Sequence, residues 1–229
     1  MPGEARRRRL RALLKRAGVD PKKIDLIEDA FVHESAARAT GAGSNERLEF
    51  LGDAILGFIV SRWLYERYPQ DREGQLTRRK AAIVNDRILA QTARRLRFQE
   101  LIRLDAPARE GGVADRVSVL GSTFEAFIAT LCLRFGLDTA QRFVEQEHIA
   151  HVDAAALEDP KTVLQEFTQQ HYACTPTYRE NAEGPPHARR FTSFVSVQGQ
   201  LLGSGVGHSK RAAQQEAAAA ALRRVLIQA

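Results

Sequence analysis

Residues 44–60 read SNERLEFLGDAILGFIV, and this stretch decides the fold of the first half of the chain. Glu46, Glu49 and Asp53 stand at i, i+3 and i+7. At about 100° per residue they fall within an arc of roughly 60° on one helix face. Leu48, Leu51 and Ile55 occupy the opposite face, Phe50 and Gly57 flank the acids, and no Lys stands among them. Like charges at this spacing repel and raise one another's pKa, so a divalent cation is the economical explanation for gathering them. A local explanation covers part of the pattern: acids near a helix start suit the macrodipole, and Ser44 or Asn45 can cap the helix. That accounts well for Glu46 and poorly for Asp53, which sits two turns in beside an apolar run.

Working outward, helical spacing recurs from Leu10 to Leu137. Leu10, Leu13, Leu14 and Ala17 form a first stripe that Gly18 ends. Ile83, Ile88 and Leu89 suggest another, and Phe124, Phe127, Ile128 and Leu131 mark one at i, i+3, i+4 and i+7. No long alternating run interrupts them, so an all-α domain is expected, with loops near residues 41–44, 69–74 and 107–115. Within LGSTFEAFIA, Glu125 is a lone acid in a strongly apolar helix. There a carboxylate is costly unless an Arg satisfies it or it binds a metal. It is a candidate ligand from a second helix.

Past Pro160 the period changes. Val163, Leu164 and Phe167 sit on a helix, RFTSFVSV (190–197) reads as a strand, Gly199 supplies a turn, and Leu201–Val206 can form the next strand. The Ala-rich segment 209–227 is helical, giving the order helix, about three strands, helix in a compact α+β unit. Ser209 can cap the last helix, whose first turn carries Lys210 and Arg211. Cations there oppose the macrodipole and make sense if phosphates approach, although solvated surface charge is the plainer alternative. Gly203, Gly205 and Gly207 would keep that approach uncluttered.

Composition sets the outer bounds. Apolar residues are 44% and charged residues 27% of the 229, a globular mix that excludes a disordered chain. The longest apolar stretch, 54–60, is far short of the roughly 20 residues that span a bilayer. The N-terminus lacks a secretory pattern, so a cytoplasmic protein without membrane association is expected. Cys132 and Cys174 are far apart and read as reduced thiols. The net charge of +6 favours an anionic partner. Residues 1–152 hold 26 basic and 21 acidic side chains, residues 153–159 none and three, and residues 160–229 eight and four. The acidic stretch separating two basic blocks marks a boundary, giving domains 1–152 and 160–229 joined by a linker at 153–159. The Arg6 to Arg9 run reads as a solvated helix end, and His148 and His151, despite metal-capable spacing, as solvent-facing.

NERLEFLGDAIL, EGQLTRRKAAIVN and STFEAFIATL together resemble the signature set of bacterial ribonuclease III. KTVLQEFTQQ, GPPH, RFTSFVSV and GHSKRAAQQEAA resemble in order a double-stranded-RNA-binding domain, so the likeness spans nearly the whole chain. The resemblance implies a magnesium-dependent endoribonuclease, with manganese able to substitute and no organic cofactor. It would cut double-stranded RNA as a homodimer, each subunit cutting one strand to leave a 5′ phosphate, a 3′ hydroxyl and a short 3′ overhang. Ribosomal RNA precursors and some messenger RNAs are the implied substrates. It also implies Glu49 and Glu125 as metal ligands, Asp53 as an essential active-site acid and ligand, Glu46 as a nearby catalytic carboxylate, and Glu73 as a weaker member. Phe50 matches the dimer-forming aromatic that enters a cavity on the partner. A plain core Phe would read the same way. Gln165 and Glu166 would meet one minor groove, His187 the next, and Lys210 and Arg211 the phosphates. Gln214 stands where many members have another Lys.

One departure matters. Where the family has Asp three residues before the last Glu, this chain has Ser122, a neutral ligand that binds magnesium more weakly than a carboxylate or through an ordered water. Two readings follow: an active nuclease that demands more metal, or a catalytically impaired protein that holds duplex RNA. A phosphohydrolase of small substrates is a third, opposed by the C-terminal module.

Overall fold

The computed structural model describes residues 3–41, 43–152, 160–185 and 189–228. The chain divides into two compact units, Met1–Leu157 and Glu158–Ala229. The expected linker at 153–159 lies outside the described residues, as does His187.

The first unit is helical. Among its described residues the only β feature is an isolated bridge between Val32 and Arg103. Helix α1 (Gly3–Arg16) buries Leu10, Leu13 and Leu14 and stops before Gly18, whose φ of +69° suits glycine. Two short 3-10 turns lead to α2 (Glu34–Thr40) and then α3 (Glu46–Arg67). The stripe through Ile83, Ile88 and Leu89 is not one helix. It breaks between α4 (Glu73–Ile83) and α5 (Asp86–Arg95), because Asn85 caps the new helix by accepting from the Ile88 N–H at 3.1 Å. The 107–115 loop contains the short α6 (Ala106–Glu110) and a 3-10 turn. Helices α7 (Val117–Phe135) and α8 (Leu137–Glu147) complete the unit.

Helix α7 is the centre, packed by α3, α5 and α8. Phe124 and Phe127 interlock with Phe31, Phe98 and Phe143, for example Phe127 edge-on to Phe143 at 5.3 Å between centroids. Each buried Phe contributes roughly 1.5–3 kcal/mol of apolar transfer. Among the described residues α7 is the one helix long and apolar enough to cross a membrane, and it owes that composition to being the core of this unit.

The Arg6 to Arg9 run is not simply solvated. Arg6 grips both carboxylate oxygens of Glu28, at 2.8 and 2.6 Å, and donates to the Leu101 carbonyl. Arg9 pairs with Glu100 at 2.6 Å, so the run fastens α1 to the 3-10 turns at residues 28–31 and 98–100.

In the second unit, α9 (Pro160–Tyr172) precedes an antiparallel sheet in the order β1 (Thr177–Glu183), β2 (Arg190–Val197) and β3 (Gln200–Gly207). Helix α10 (Lys210–Gln228) follows. Gln198 and Gly199 both have positive φ, forming the two-residue hairpin that sets Val197 opposite Gln200. Gly203, Gly205 and Gly207 face α10, and their role differs from the one expected. An ideal Cβ at these positions would stand 2.5 Å from the Ala217 carbonyl oxygen, 2.3 Å from the Ala217 nitrogen and 2.7 Å from the Ala213 nitrogen. The glycines exist for helix–sheet contact, and Ala213, Ala217 and Ala221 answer them from the helix.

Candidate active site

Three elements of the first unit bring acids together. Glu49 and Asp53 flank Gly52 on α3, and a Cβ at Gly52 would lie only 1.9 Å from the Glu125 carbonyl oxygen. With no side chain at residue 52, α3 rests on the backbone of α7 at the very residue that carries the third carboxylate. One turn before it, the Cβ position of Gly121 is 3.6 Å from the Asp86 Cα and 3.8 Å from its Cβ, so the start of α5 touches α7 there.

The electrostatic result falls on Glu125. Partial burial, then the charges of Asp53, Glu49 and Asp86, push its carboxyl up to about 7. None of these four acids, nor Glu46, forms an ion pair among the described residues. Ser122 donates through Oγ to Oε1 of Glu49 at 2.7 Å, so the substituted position is directed at the cluster.

Glu46 sits at the margin. It is exposed, accepts from the Ser44 hydroxyl at 2.5 Å, and lines a cleft of about 170 Å³ with Glu49, Ser118, Ser122 and His33. The helix-start explanation for Glu46 thus has a physical partner in Ser44. Asn45, the other candidate cap, donates to the Ala30 carbonyl instead. Glu73 is not brought to the cluster. It accepts from Thr77 at 3.0 Å and lines a separate, mainly apolar cavity of about 650 Å³ with Phe58, Leu64, Tyr65 and Leu76. Phe50 is 83% exposed, so it is no core residue of this chain.

Sequence reasoning missed Asp86. The helix break that gives it a place was hidden inside an apparently continuous stripe, and only the Asn85 cap betrays it. It also misplaced His148, which is fully buried. His148 Nε2 faces the Ile83 carbonyl at 3.1 Å and Nδ1 faces the Thr92 hydroxyl at 2.9 Å. A carbonyl can only accept, so Nε2 carries the proton, Nδ1 accepts from Thr92, and a neutral ring is fully satisfied. Burial, with the nearby Arg95 charge, lowers its pKa to about 4. His151 is exposed, as expected.

The acids fit a hard divalent cation in donor chemistry: all are oxygen ligands, and their mutual charge is otherwise uncompensated. They do not form a closed cage. Among the described residues no three His, Cys, Asp or Glu side chains converge closely enough to hold an ion, so a cation would have to draw them together.

In the second unit Gln165 and Glu166 are exposed on α9, and Lys210 and Arg211 are exposed at the start of α10. Ser209 caps that helix, accepting from the Ala212 N–H at 3.1 Å. Gln214 is engaged within the unit. It accepts from Lys161 Nζ at 2.5 Å and donates to Glu180, tying α9, β1 and α10 together.

Residues 23–152 match the Ribonuclease-III-like family, and residues 160–225 match the double-stranded RNA binding motif. Ribonuclease 3 of Streptococcus gordonii is 41% identical over 213 residues, spanning 90% of this chain and 92% of the relative. Ribonuclease 3 of Enterococcus faecalis is 39% identical over 93% of this chain and 96% of its own. A solved nuclease domain of ribonuclease III from Campylobacter jejuni superposes with a TM-score of 0.54 at 30% identity, covering 59% of this chain and 95% of that one. That structure is described as having a region involved in dimer formation. Two matched domains in this order, and near-full-length relatives of one name, place the chain in the ribonuclease III family, endoribonucleases specific for double-stranded RNA.

Proposed function

We propose that the acids around Gly52 form a divalent-metal hydrolytic site that cuts duplex RNA held by the C-terminal unit. The observation that carries this reading is the backbone contact at Gly52, which brings the helix of Glu49 and Asp53 against Glu125, with no ion pair to any of the three among the described residues. Glu49, Asp53 and Glu125 would hold magnesium, or manganese in its place. When bound, the cation polarises a phosphodiester oxygen and lowers the pKa of a water that attacks phosphorus in line. Without the ion, burial and the neighbouring acids raise Glu125 to about 7; a bound cation would favour its ionised form, and Glu46 lines the adjoining cleft. Ser122 orients Glu49 by hydrogen bonding, the part a neutral hydroxyl can play where a carboxylate would ligate directly.

The RNA contacts are Gln165 and Glu166 in one minor groove, His187 in the next, and Lys210 and Arg211 on phosphates at a capped helix start. Gln214 has its own partners inside the unit, so phosphate attraction rests on the two cations before it. The protein works as a homodimer through the exposed Phe50, each subunit cutting one strand to a 5′ phosphate and a 3′ hydroxyl with a short 3′ overhang. Its place is the cytoplasm, on ribosomal RNA precursors and some messenger RNAs. A second reading draws on the Ser122–Glu49 hydrogen bond, which occupies one oxygen of a ligand: a protein that binds duplex RNA without cutting it.

End-labelled duplex RNA, titrated with magnesium and with manganese, separates the two readings. Metal-dependent cutting of duplex but not of single strands, lost in Glu125→Ala, supports the nuclease. Binding with no cutting at any metal concentration supports the second reading. Replacing Lys210 and Arg211 by Ala should reduce the salt dependence of binding by about two counterions. An unchanged slope would place the phosphate contacts elsewhere.

A further inference from the structure

We propose that Asp86 is a further acidic residue of the metal site, supplying from the start of α5 a negative charge at the cluster that Ser122 does not provide from α7. This rests on the metal-hydrolytic reading above. Two observations support it. Asp86 lies in backbone contact with α7 at Gly121, one position before Ser122 and one turn before Glu125, so its carboxylate originates at the edge of the cluster. It is exposed and, among the described residues, its side chain has neither a hydrogen bond nor an ion pair, so it is uncommitted.

The geometry divides the work. Ser122 leans toward Glu49 of α3, whereas Asp86 approaches α7 from a different helix. Its carboxylate would bind the ion directly or through an ordered water, the latter suiting a cation that keeps part of its hydration shell. The competing explanation is that Asp86, in the first turn of α5, only complements the helix macrodipole. Asp138, in the first turn of α8 with its charge felt at Arg62, has the same helix-start placement and serves as the control.

The test is Mn2+ binding to the full-length protein without RNA, followed by calorimetry and by loss of the free-ion electron paramagnetic resonance signal. Circular dichroism confirms that each variant is folded. Asp86→Asn should weaken Mn2+ binding roughly tenfold. Asp138→Asn should leave it unchanged, and Ser122→Asp added to Asp86→Asn should restore it. The proposal is overturned if Asp86→Asn binds Mn2+ like the wild type while Glu125→Gln does not, since the metal site then stands without Asp86. It is also overturned if Asp138→Asn weakens binding as much as Asp86→Asn. If wild type and Glu125→Gln bind Mn2+ equally or not at all, the metal-site reading itself fails and takes the proposal with it.

Discussion

Acidic side chains are treated in opposite ways in two regions of the first unit. Beneath α1, Glu28 and Glu100 are each matched by an Arg, and farther along Glu147 is held by both Arg16 and Arg95. Around Gly52 and Gly121, Glu49, Asp53, Asp86 and Glu125 stand on helices in backbone contact, and among the described residues none of them has an ion-pair partner. The chain carries more Lys and Arg than Asp and Glu, so the second arrangement is not a shortage of cations. Glu28, Glu100 and Glu147 serve the fold and have an Arg built in. At the proposed metal site the counter-charge would have to come from outside, at a cost in stability while it is absent.

The largest expected effect breaks this contrast at its centre. Glu125→Gln should lower duplex cleavage by about a thousandfold or more, on the order of 4 kcal/mol. It should also stabilise the metal-free protein. A carboxyl raised from 4.5 to about 7 binds more protons folded than unfolded between those values, so the wild type loses stability as pH rises through that window. After discounting for partial exposure, the variant should gain roughly 1–2 kcal/mol at pH 8 and little at pH 4.5. Chemical denaturation in a chelator at both pH values checks this, and equal shifts at both would remove the electrostatic explanation.

His148 is a third case, a titratable group kept neutral instead of paired. Its folded pKa near 4 lies below the ordinary 6.5, so the unfolded chain takes up a proton that the folded one refuses. Stability should fall as pH drops from about 6.5 to 4, by about 3 kcal/mol, and this component should level off below that. His148→Gln should be less stable at pH 7 but show a shallower acid slope. An unchanged slope would assign acid sensitivity to other groups. The smallest effect belongs to a matched pair. Glu28→Gln leaves Arg6 partly buried without its carboxylate and should cost about 1–2 kcal/mol, with metal-dependent cleavage untouched.

What could be read from the sequence follows from how local each signal is. The acidic face of α3 and the apolar stripe of α7 are consequences of spacing within one helix, and so were visible. Glu125 stood out because an acid in so apolar a helix needs a reason. Asp86 and His148 draw their meaning from partners far along the chain: Gly121 for the first, Thr92 and the Ile83 carbonyl for the second. The Arg6 to Arg9 run looked solvated for the same reason, since Glu28 and Glu100 approach it only after folding. Strand β1, TYRENAE, has just one buried-facing aromatic and no alternation strong enough to announce it. The glycines of β3 were noticed but assigned to phosphate approach, because nothing in a sequence says which backbone will lie against them.

Those glycines have a thermal consequence. The second unit joins β3 to α10 largely through hydrogen atoms and methyl groups, while the first is knit by five interlocked Phe rings. Apolar area exposed on unfolding sets the heat capacity increment, so the C-terminal unit should have a small one per residue and a flatter stability curve. Differential scanning calorimetry of the full chain should then resolve two endotherms, the lesser from residues past 158. A single melting temperature would describe neither unit.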